Sequence, residues 1–154
     1  MVDVRSALAE LVGTFIFLFT GFMGVTAMIA FAGGGGVPEI VNIALACGVG
    51  LFAALHLAGA VSGGHFNPAV TIAALADRRI DVANAISYIV AQVVGGIVAA
   101  LVLGAVFDQA TVQSVITAPN NGVTDIQAVV LEIVFTALFI GVILTVTRRD
   151  PARA

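Results

Sequence analysis

The sequence contains little charge and no lysine at all. Only 10% of its residues are charged, against roughly a quarter in soluble globular proteins, and 60% are hydrophobic. Tryptophan is also absent, and no basic stripe alternates with aromatic residues, as it does in nucleic-acid-binding surfaces. The composition therefore excludes an ordinary soluble domain, makes nucleic acid an unexpected partner and indicates that the lipid bilayer is the solvent.

Cysteine is nearly absent as well, since Cys47 is the only one. A single cysteine excludes a disulfide within the chain. Cys47 lies in an apolar stretch without the histidine, cysteine or carboxylate companions that a zinc or redox motif needs. We expect no metal site and no cofactor, and we interpret Cys47 as a small residue in a helix wall.

Four apolar stretches are long enough to cross about 30 Å of hydrocarbon at 1.5 Å per residue. They cover approximately residues 7–31, 37–61, 82–107 and 126–147. The first is longer than the core of a signal peptide, so a retained membrane anchor is expected. A fifth apolar stretch, residues 66–76, is too short to cross.

The arginines predict how the short stretch is placed. They occupy three loop positions: Arg5, the pair Arg78 and Arg79, and a group formed by Arg148, Arg149 and Arg153. Cytoplasmic loops collect arginine, and four crossings place all three positions on that side. A crossing by residues 66–76 would break the rule. We therefore expect this stretch to enter the membrane and return to the same side. Both ends of the chain are expected to be cytoplasmic, and the membrane is expected to be the plasma membrane.

The re-entrant stretch has a clear helix start. Asn67 is a favoured N-cap residue, and Pro68 suits the first helical position. The cap would occupy the carboxamide oxygen of Asn67 and leave its NH₂ group to face a lumen. Residues 62–65 would be irregular, which is tolerated at membrane depth only inside protein or beside a watery cavity. Their carbonyls would then bind a solute that donates hydrogen bonds, while the helix dipole disfavours cations.

An internal repeat links the first and fourth spans. Residues 10–17 read Glu-Leu-Val-Gly-Thr-Phe-Ile-Phe, and residues 132–139 read Glu-Ile-Val-Phe-Thr-Ala-Leu-Phe. Three crossings separate the two starts, so the repeat would be inverted, as in many transport proteins. Residues 1–124 would form a first repeat, and residues 125–154 the opening span and following loop of a second. The chain is therefore expected to be a fragment or a truncated product.

Residues 62–71, Ser-Gly-Gly-His-Phe-Asn-Pro-Ala-Val-Thr, resemble the first Asn-Pro-Ala signature of the aquaporin, or major intrinsic protein, family. Residues 9–15, 91–96 and 118–122 extend the resemblance over essentially the whole chain. It implies an all-α membrane protein with an aquaporin-like bundle, here four transmembrane helices and one re-entrant half-helix. It also implies a passive channel for water or small neutral solutes such as glycerol, without enzymatic activity, that forms homotetramers at full length. Residues 1–154 alone are expected not to conduct.

The resemblance assigns the pore to the re-entrant segment. Asn67 would donate hydrogen bonds to the solute at the pore centre. The carbonyls that line the cytoplasmic half would come from Gly63, Gly64, His65 and Phe66.

Other roles implied by the resemblance lie around the pore. Pro68 and Ala69 would pack against a second half-helix. Glu132 would hold the loop before Asn67, while Glu10 would hold the matching loop of the second repeat. Cys47 stands where water-selective members carry an aromatic filter residue, which predicts a wider pore.

Other interpretations of the polar residues remain open. The two glutamates are also compatible with an ion-coupled secondary transporter built on an inverted repeat. A membrane hydrolase that uses His65 has no placed nucleophile. His56, within the second span, is interpreted as a helix-packing residue. Residues 150–153, Asp-Pro-Ala-Arg, are interpreted as a loop and not as a second signature.

Overall fold

The computed structural model describes residues 1–32, 37–116, 118–119 and 122–147. The elements are α1 (Val4–Ala32), α2 (Val37–Ala54), a π-helical turn (Leu55–Gly59), α3 (Ala60–Ser62), α4 (Pro68–Ala76), α5 (Val82–Val106), α6 (Gln109–Ser114) and α7 (Asp125–Val146). Four segments are long and apolar enough to cross a membrane: Val4–Ala27, Ile40–Ser62, Val82–Val106 and Asp125–Val146. The expected all-α membrane fold with four spans and one short helix is confirmed.

Side-chain caps set the helix starts near the predicted positions. Asn67 Oδ1 accepts the N–H of Ala69 at 2.7 Å, so α4 begins at Pro68 and not at Phe66. At the start of α7, Thr124 and Gln127 form a capping box in which each side chain bonds the other's backbone. Residues 148–154, which include the Asp-Pro-Ala-Arg stretch, lie outside the described residues.

The second span is not one regular α-helix. A π-helical turn, Leu55–Gly59, interrupts its regular α-helix. His56, in that turn, is exposed, and its ring centroid lies 4.0 Å from that of Phe52 in the same span. His56 Nδ1 also lies 2.8 Å from the carbonyl oxygen of Phe52. Both of these contacts lie within its own span, and the interpretation of His56 as a helix-packing residue stays a prediction.

Hydrogen bonds place the ends of several elements together. The N–H of Asp3 donates to Asn84 Oδ1 at 2.8 Å, which joins the starts of α1 and α5. Ser6 Oγ donates to the carbonyl oxygen of Val61 at 3.1 Å, which brings the end of α3 to the same place. We call this the arginine end, because α1 begins there beside Arg5.

The re-entrant path follows from two further contacts. Arg79, three residues before α5, donates to Thr147 Oγ1 at 2.7 Å, so α4 and α7 both end at the arginine end. Between α3 and α4, however, Phe66 packs against Gly13, about 14 Å along α1 from its first residue. The segment therefore starts at the arginine end, reaches roughly half the depth of the span and returns through α4.

The bundle is organised around α1, which packs closely against both α2 and α5. Gly95 makes the approach of α5 possible, because a Cβ there would lie 2.5 Å from the carbonyl oxygen of Leu11. A small core of Ala54, Ala58 and Phe66 forms where the re-entrant segment meets α1 and the second span. In contrast, α7 has no buried residue in its described length and approaches only α4 among the described elements.

Asp81, the exposed N-cap of α5, provides a pH-dependent prediction. Hydrogen bonds from the backbone and then the side chain of Asn84 lower the pKa of Asp81. A carboxyl group whose pKa is lower in the folded than in the unfolded state stabilises the fold at pH values above its unfolded-state pKa. This contribution is lost as the pH falls through the folded-state pKa. Asp81→Ala is therefore expected to destabilise the protein at pH 7, and the difference should shrink below about pH 4. Thermal unfolding in detergent at both pH values measures this. A stability difference between Asp81→Ala and the parent that does not change with pH would contradict the prediction. Asp81→Asn is the control, because it keeps an acceptor oxygen but removes the titratable charge.

Candidate pore site

Glu10 holds the re-entrant segment from inside the bundle. Its side chain is 0% exposed, and Oε1 accepts from Ser62 Oγ at 2.6 Å and from the N–H of His65 at 3.0 Å. Oε2 accepts from the N–H of Phe66 at 2.6 Å and from Gln92 Nε2 at 2.8 Å. Two donors thus reach each oxygen, and the acceptor sites of the carboxylate are used.

This geometry corrects the crosswise assignment of the two glutamates. The prediction that Glu132 holds the loop before Asn67 is wrong, because Glu10 of the same repeat does so. Glu132 is exposed on α7, about 18 Å along the helix axis from Leu144, where α7 meets Arg79. The prediction that Glu10 serves a second loop also fails, since its oxygens already accept four hydrogen bonds.

Backbone conformation turns the segment within a few residues. Gly63 and Gly64 have φ angles of 94° and 71°, in the left-handed region that glycine adopts without a steric cost. Phe66 is also left-handed, with φ of 46°, although its side chain is only 2% exposed. A Cβ on Gly13 would lie 2.1 Å from Phe66 Cε1, so the ring occupies space that only glycine leaves open. Ring burial offsets the unfavourable backbone of Phe66.

Two groups of carbonyls can be distinguished along the segment. The oxygens of Val61 and Ser62 accept hydrogen bonds from Ser6 Oγ at 3.1 Å and Tyr88 Oη at 2.8 Å. No donor from the described part of the chain bonds the carbonyl oxygens of residues 63–66. The first group anchors the segment, and the second has no donor among the described residues.

The side chain of His65 is oriented by Thr71. Thr71 Oγ1 donates to the carbonyl oxygen of Asn67 at 3.2 Å and accepts from Gln92 Nε2 at 2.9 Å. His65 Nδ1 lies 3.1 Å from the same hydroxyl oxygen. The Thr71 hydroxyl thus contacts Asn67, Gln92 and His65 together, which fixes the position of the His65 ring.

A cavity of about 960 Å³ lies beside the segment. Its walls come from the second span, the re-entrant segment, α4 and α7, and it extends to Arg79 and Thr147 at the arginine end. Among the predicted pore residues, it is lined by Gly63, Gly64 and His65.

The remaining predicted pore residues are not in the wall of this cavity. Phe66 is buried, with only 2% of its surface exposed, and its predicted carbonyl contact with a solute stays a prediction. The Oδ1 atom of Asn67 caps α4, as predicted, and no described residue bonds its Nδ2; that this group faces a lumen stays a prediction. Cys47 lies against α1, with its sulfur 3.1 Å from a Cβ built on Gly21. Its place in a filter stays a prediction.

The residues that sequence reasoning missed are polar side chains on the bundle interior. They are Ser6, Thr71, Tyr88 and Gln92. Tyr88 and Gln92 are four residues apart in a span that is otherwise mostly apolar, so they share one helix face. Polar residues within a span are costly in lipid, and that rarity is the signal that identifies them.

Tyr88 offers a direct test of the anchoring carbonyls. Tyr88→Phe removes the hydrogen bond to Ser62 and is expected to cost about 1 kcal/mol of stability. The matched control is Ser87→Ala, because the Ser87 hydroxyl bonds only the carbonyl of Asn84, in its own helix, among the described residues. Unfolding in detergent compares the two variants, and an equal loss in both would contradict an anchoring role for Tyr88.

Comparison with known proteins matches this architecture to one family. The family model described as major intrinsic protein matches residues 1–153. Glycerol uptake facilitator protein-like 6 of Lactiplantibacillus plantarum is 40% identical over 98% of this chain and 67% of its own length. Aquaporin Z of Photorhabdus laumondii is 39% identical over 96% of this chain and 68% of its own length. Probable aquaporin TIP3-2 of Arabidopsis thaliana is 38% identical over 98% of this chain and 58% of its own length.

The chain therefore spans about three-fifths to two-thirds of the length of these relatives. The match to the family model, the identities and the Asn67-capped re-entrant helix agree with one another. This chain belongs to the major intrinsic protein family.

Proposed function

We propose that this chain forms part of a passive transmembrane channel for water or small neutral solutes. The observation that supports it best is the row of carbonyls at residues 63–66, which no described donor bonds. Three of those residues line the cavity beside the segment: Gly63, Gly64 and His65. Along such a row, the carbonyl oxygens can accept the hydrogen bonds that a solute donates to water in bulk solution.

The chemistry around Asn67 favours a neutral solute. Its Nδ2 group supplies donors at the start of α4, next to the acceptors of residues 63–66. The N-terminus of α4 carries a partial positive charge, which disfavours cations near the same point. A solute that is uncharged and both donates and accepts hydrogen bonds fits this arrangement. One relative is named a glycerol uptake facilitator protein and another an aquaporin, so glycerol and water are the solutes to test first.

The proposal includes a second re-entrant half-helix, in a longer chain or another subunit. Pro68 is exposed and Ala69 half-buried, which leaves both available to pack against it. Since Glu10 holds the first segment, Glu132 would hold the second one in the same way. In this arrangement the arginine end is cytoplasmic, the membrane is the plasma membrane, and the complete channel is a homotetramer.

A completed chain tests the proposal. Residues 1–154 are joined to the remaining third of the Lactiplantibacillus relative and reconstituted in vesicles, beside residues 1–154 alone. We expect the completed chain to pass water and glycerol at rates proportional to their gradients. An imposed proton gradient should change neither rate, and residues 1–154 alone should match empty vesicles. Uptake that saturates and follows the proton gradient would instead support ion-coupled transport, and no uptake by the completed chain would contradict the channel.

A further inference from the structure

Arg79 lies just after α4 and connects the end of the re-entrant unit, residues 62–79, to the end of α7. Its Nε donates to Asp77 Oδ2 at 2.7 Å, and its Nη1 donates to Thr147 Oγ1 at 2.7 Å. Its Nη2 donates to the carbonyl oxygen of Leu144 at 3.1 Å. Leu144 lies in the last turn of α7, and Thr147 is its C-cap. One guanidinium group thus bonds both its own loop and a helix 65 residues further along the chain.

The chemistry of these partners explains why arginine is needed. The last carbonyls of a helix have no partner within it and carry partial negative charge, so a cation supplied from elsewhere satisfies and stabilises them. The planar guanidinium reaches Thr147 and Leu144 with two different nitrogens, which the single ammonium of lysine does not reproduce. The side chains of Arg79 and Asp77 are 30% and 53% exposed, so this ion pair adds little by itself. Asp77 orients the guanidinium toward α7.

The link matters because α7 has few other attachments. It has no buried residue in its described length, and α4 is the only described element that its backbone approaches closely. Yet α7 supplies Phe139 and Ile143 to the wall of the cavity, which Gly63 and His65 of the re-entrant segment also line. The distance between these two parts of the wall therefore depends on where the end of α7 is held.

We infer that Arg79 is a positioning residue, which fixes the end of α7 against the re-entrant unit and thereby sets the width of the cavity at the arginine end. Its effect on permeation rests on the proposed channel function, whereas the link between α4 and α7 does not.

The link can be measured on residues 1–154 by spin-label distances. Labels are placed at Ile72→Cys on α4 and Val142→Cys on α7, both exposed, in a Cys47→Ala background. We expect a narrow distance distribution that becomes broader in Arg79→Ala and in Arg79→Lys. The matched control is Arg78→Ala, because the exposed Arg78 makes no side-chain hydrogen bond to the described residues. A distribution unchanged by both Arg79 substitutions would overturn the inference.

Two further arms separate this result from unfolding and from channel activity. A second label pair, Leu8→Cys on α1 and Val90→Cys on α5, reports whether the bundle stays intact. If Arg79→Ala broadens this pair as well, Thr147→Val decides, since it removes one bond at the far end of the link. Broadening of only the α4–α7 pair in Thr147→Val supports the inference, and no broadening overturns it. In the completed chain, Arg79→Ala should change water permeability while Arg78→Ala does not. Loss of flux in every variant, parent included, would count against the proposed function and leave the distance result standing.

Discussion

Replacing Glu10 with glutamine is expected to destabilise the protein by about 2–6 kcal/mol, the largest effect of any single substitution considered. The carboxylate accepts four hydrogen bonds, two of them from the backbone of His65 and Phe66. Glutamine keeps one acceptor oxygen and points an NH₂ group at the donors that faced the other. Each buried donor left without an acceptor costs about 1–3 kcal/mol, and two donors lose theirs.

The measurement is unfolding in detergent together with hydrogen exchange of the His65 and Phe66 amides. Both amides should exchange faster in Glu10→Gln, because their acceptors are lost or displaced. Glu132→Gln is the matched control, since it makes the same chemical change in the repeat-related residue, which is exposed on α7. It should leave the exchange of the His65 and Phe66 amides unchanged, because Glu132 bonds neither of them among the described residues. Equal losses in the two variants would contradict the assignment of Glu10 as the residue that holds the segment.

Gly95→Ala is expected to produce the second-largest loss, about 1–3 kcal/mol. Its new Cβ would lie 2.5 Å from the carbonyl oxygen of Leu11 and 3.3 Å from the backbone nitrogen of Phe15. These are backbone atoms, so no side chain can rotate away and α5 must move from α1. Because Gln92 is one turn from Gly95 on α5, the movement should also weaken its hydrogen bond to Glu10.

The control for this substitution is Gly141→Ala on α7, where a Cβ meets no atom within 4 Å. Alanine in an open helical position is expected to add about 0.5–1 kcal/mol of stability. The two variants should therefore shift the unfolding midpoint in opposite directions. A shift of the same sign in both would show that helix propensity, and not the contact between α1 and α5, decides the effect at Gly95.

Much of the fold could be predicted because it depends on local physics. Span length and hydropathy indicate the four crossing helices, and the Asn67-Pro68 pair sets the start of α4. The arginine positions predict the return of the short helix, and the bond between Arg79 and Thr147 agrees with that path. In each case, nearby residues carry the information.

The identity of the glutamate that supports the segment could not be predicted, because it depends on packing between distant elements. Glu10 and Glu132 occupy matching positions in similar sequences, so either one is chemically suitable. Only the distances from Glu10 to the His65 and Phe66 amides decide between them. The anchoring role of Tyr88 likewise depends on the angle at which α5 passes the end of α3.

The exposed end of α7 shows the same dependence on context. Arg79 was predicted to mark a loop on the cytoplasmic side, which concerns its charge alone. Its bonds to Leu144 and Thr147 require knowledge of where α7 ends relative to α4. A loop arginine can satisfy a topological rule and also hold a helix, and the sequence pattern contains only the first of these roles.

The most direct test of the channel is whether water passes beside His65. In the completed chain with Cys47→Ala, His65→Cys places a thiol in the cavity wall, and Leu57→Cys places one on a face that is 72% exposed outside it. Water permeability is measured by stopped-flow shrinkage of vesicles before and after complete labelling with a small mercurial. We predict that labelling blocks the flux through His65→Cys and leaves the flux through Leu57→Cys unchanged. Undiminished flux through a fully labelled His65→Cys would contradict a water path along residues 63–67.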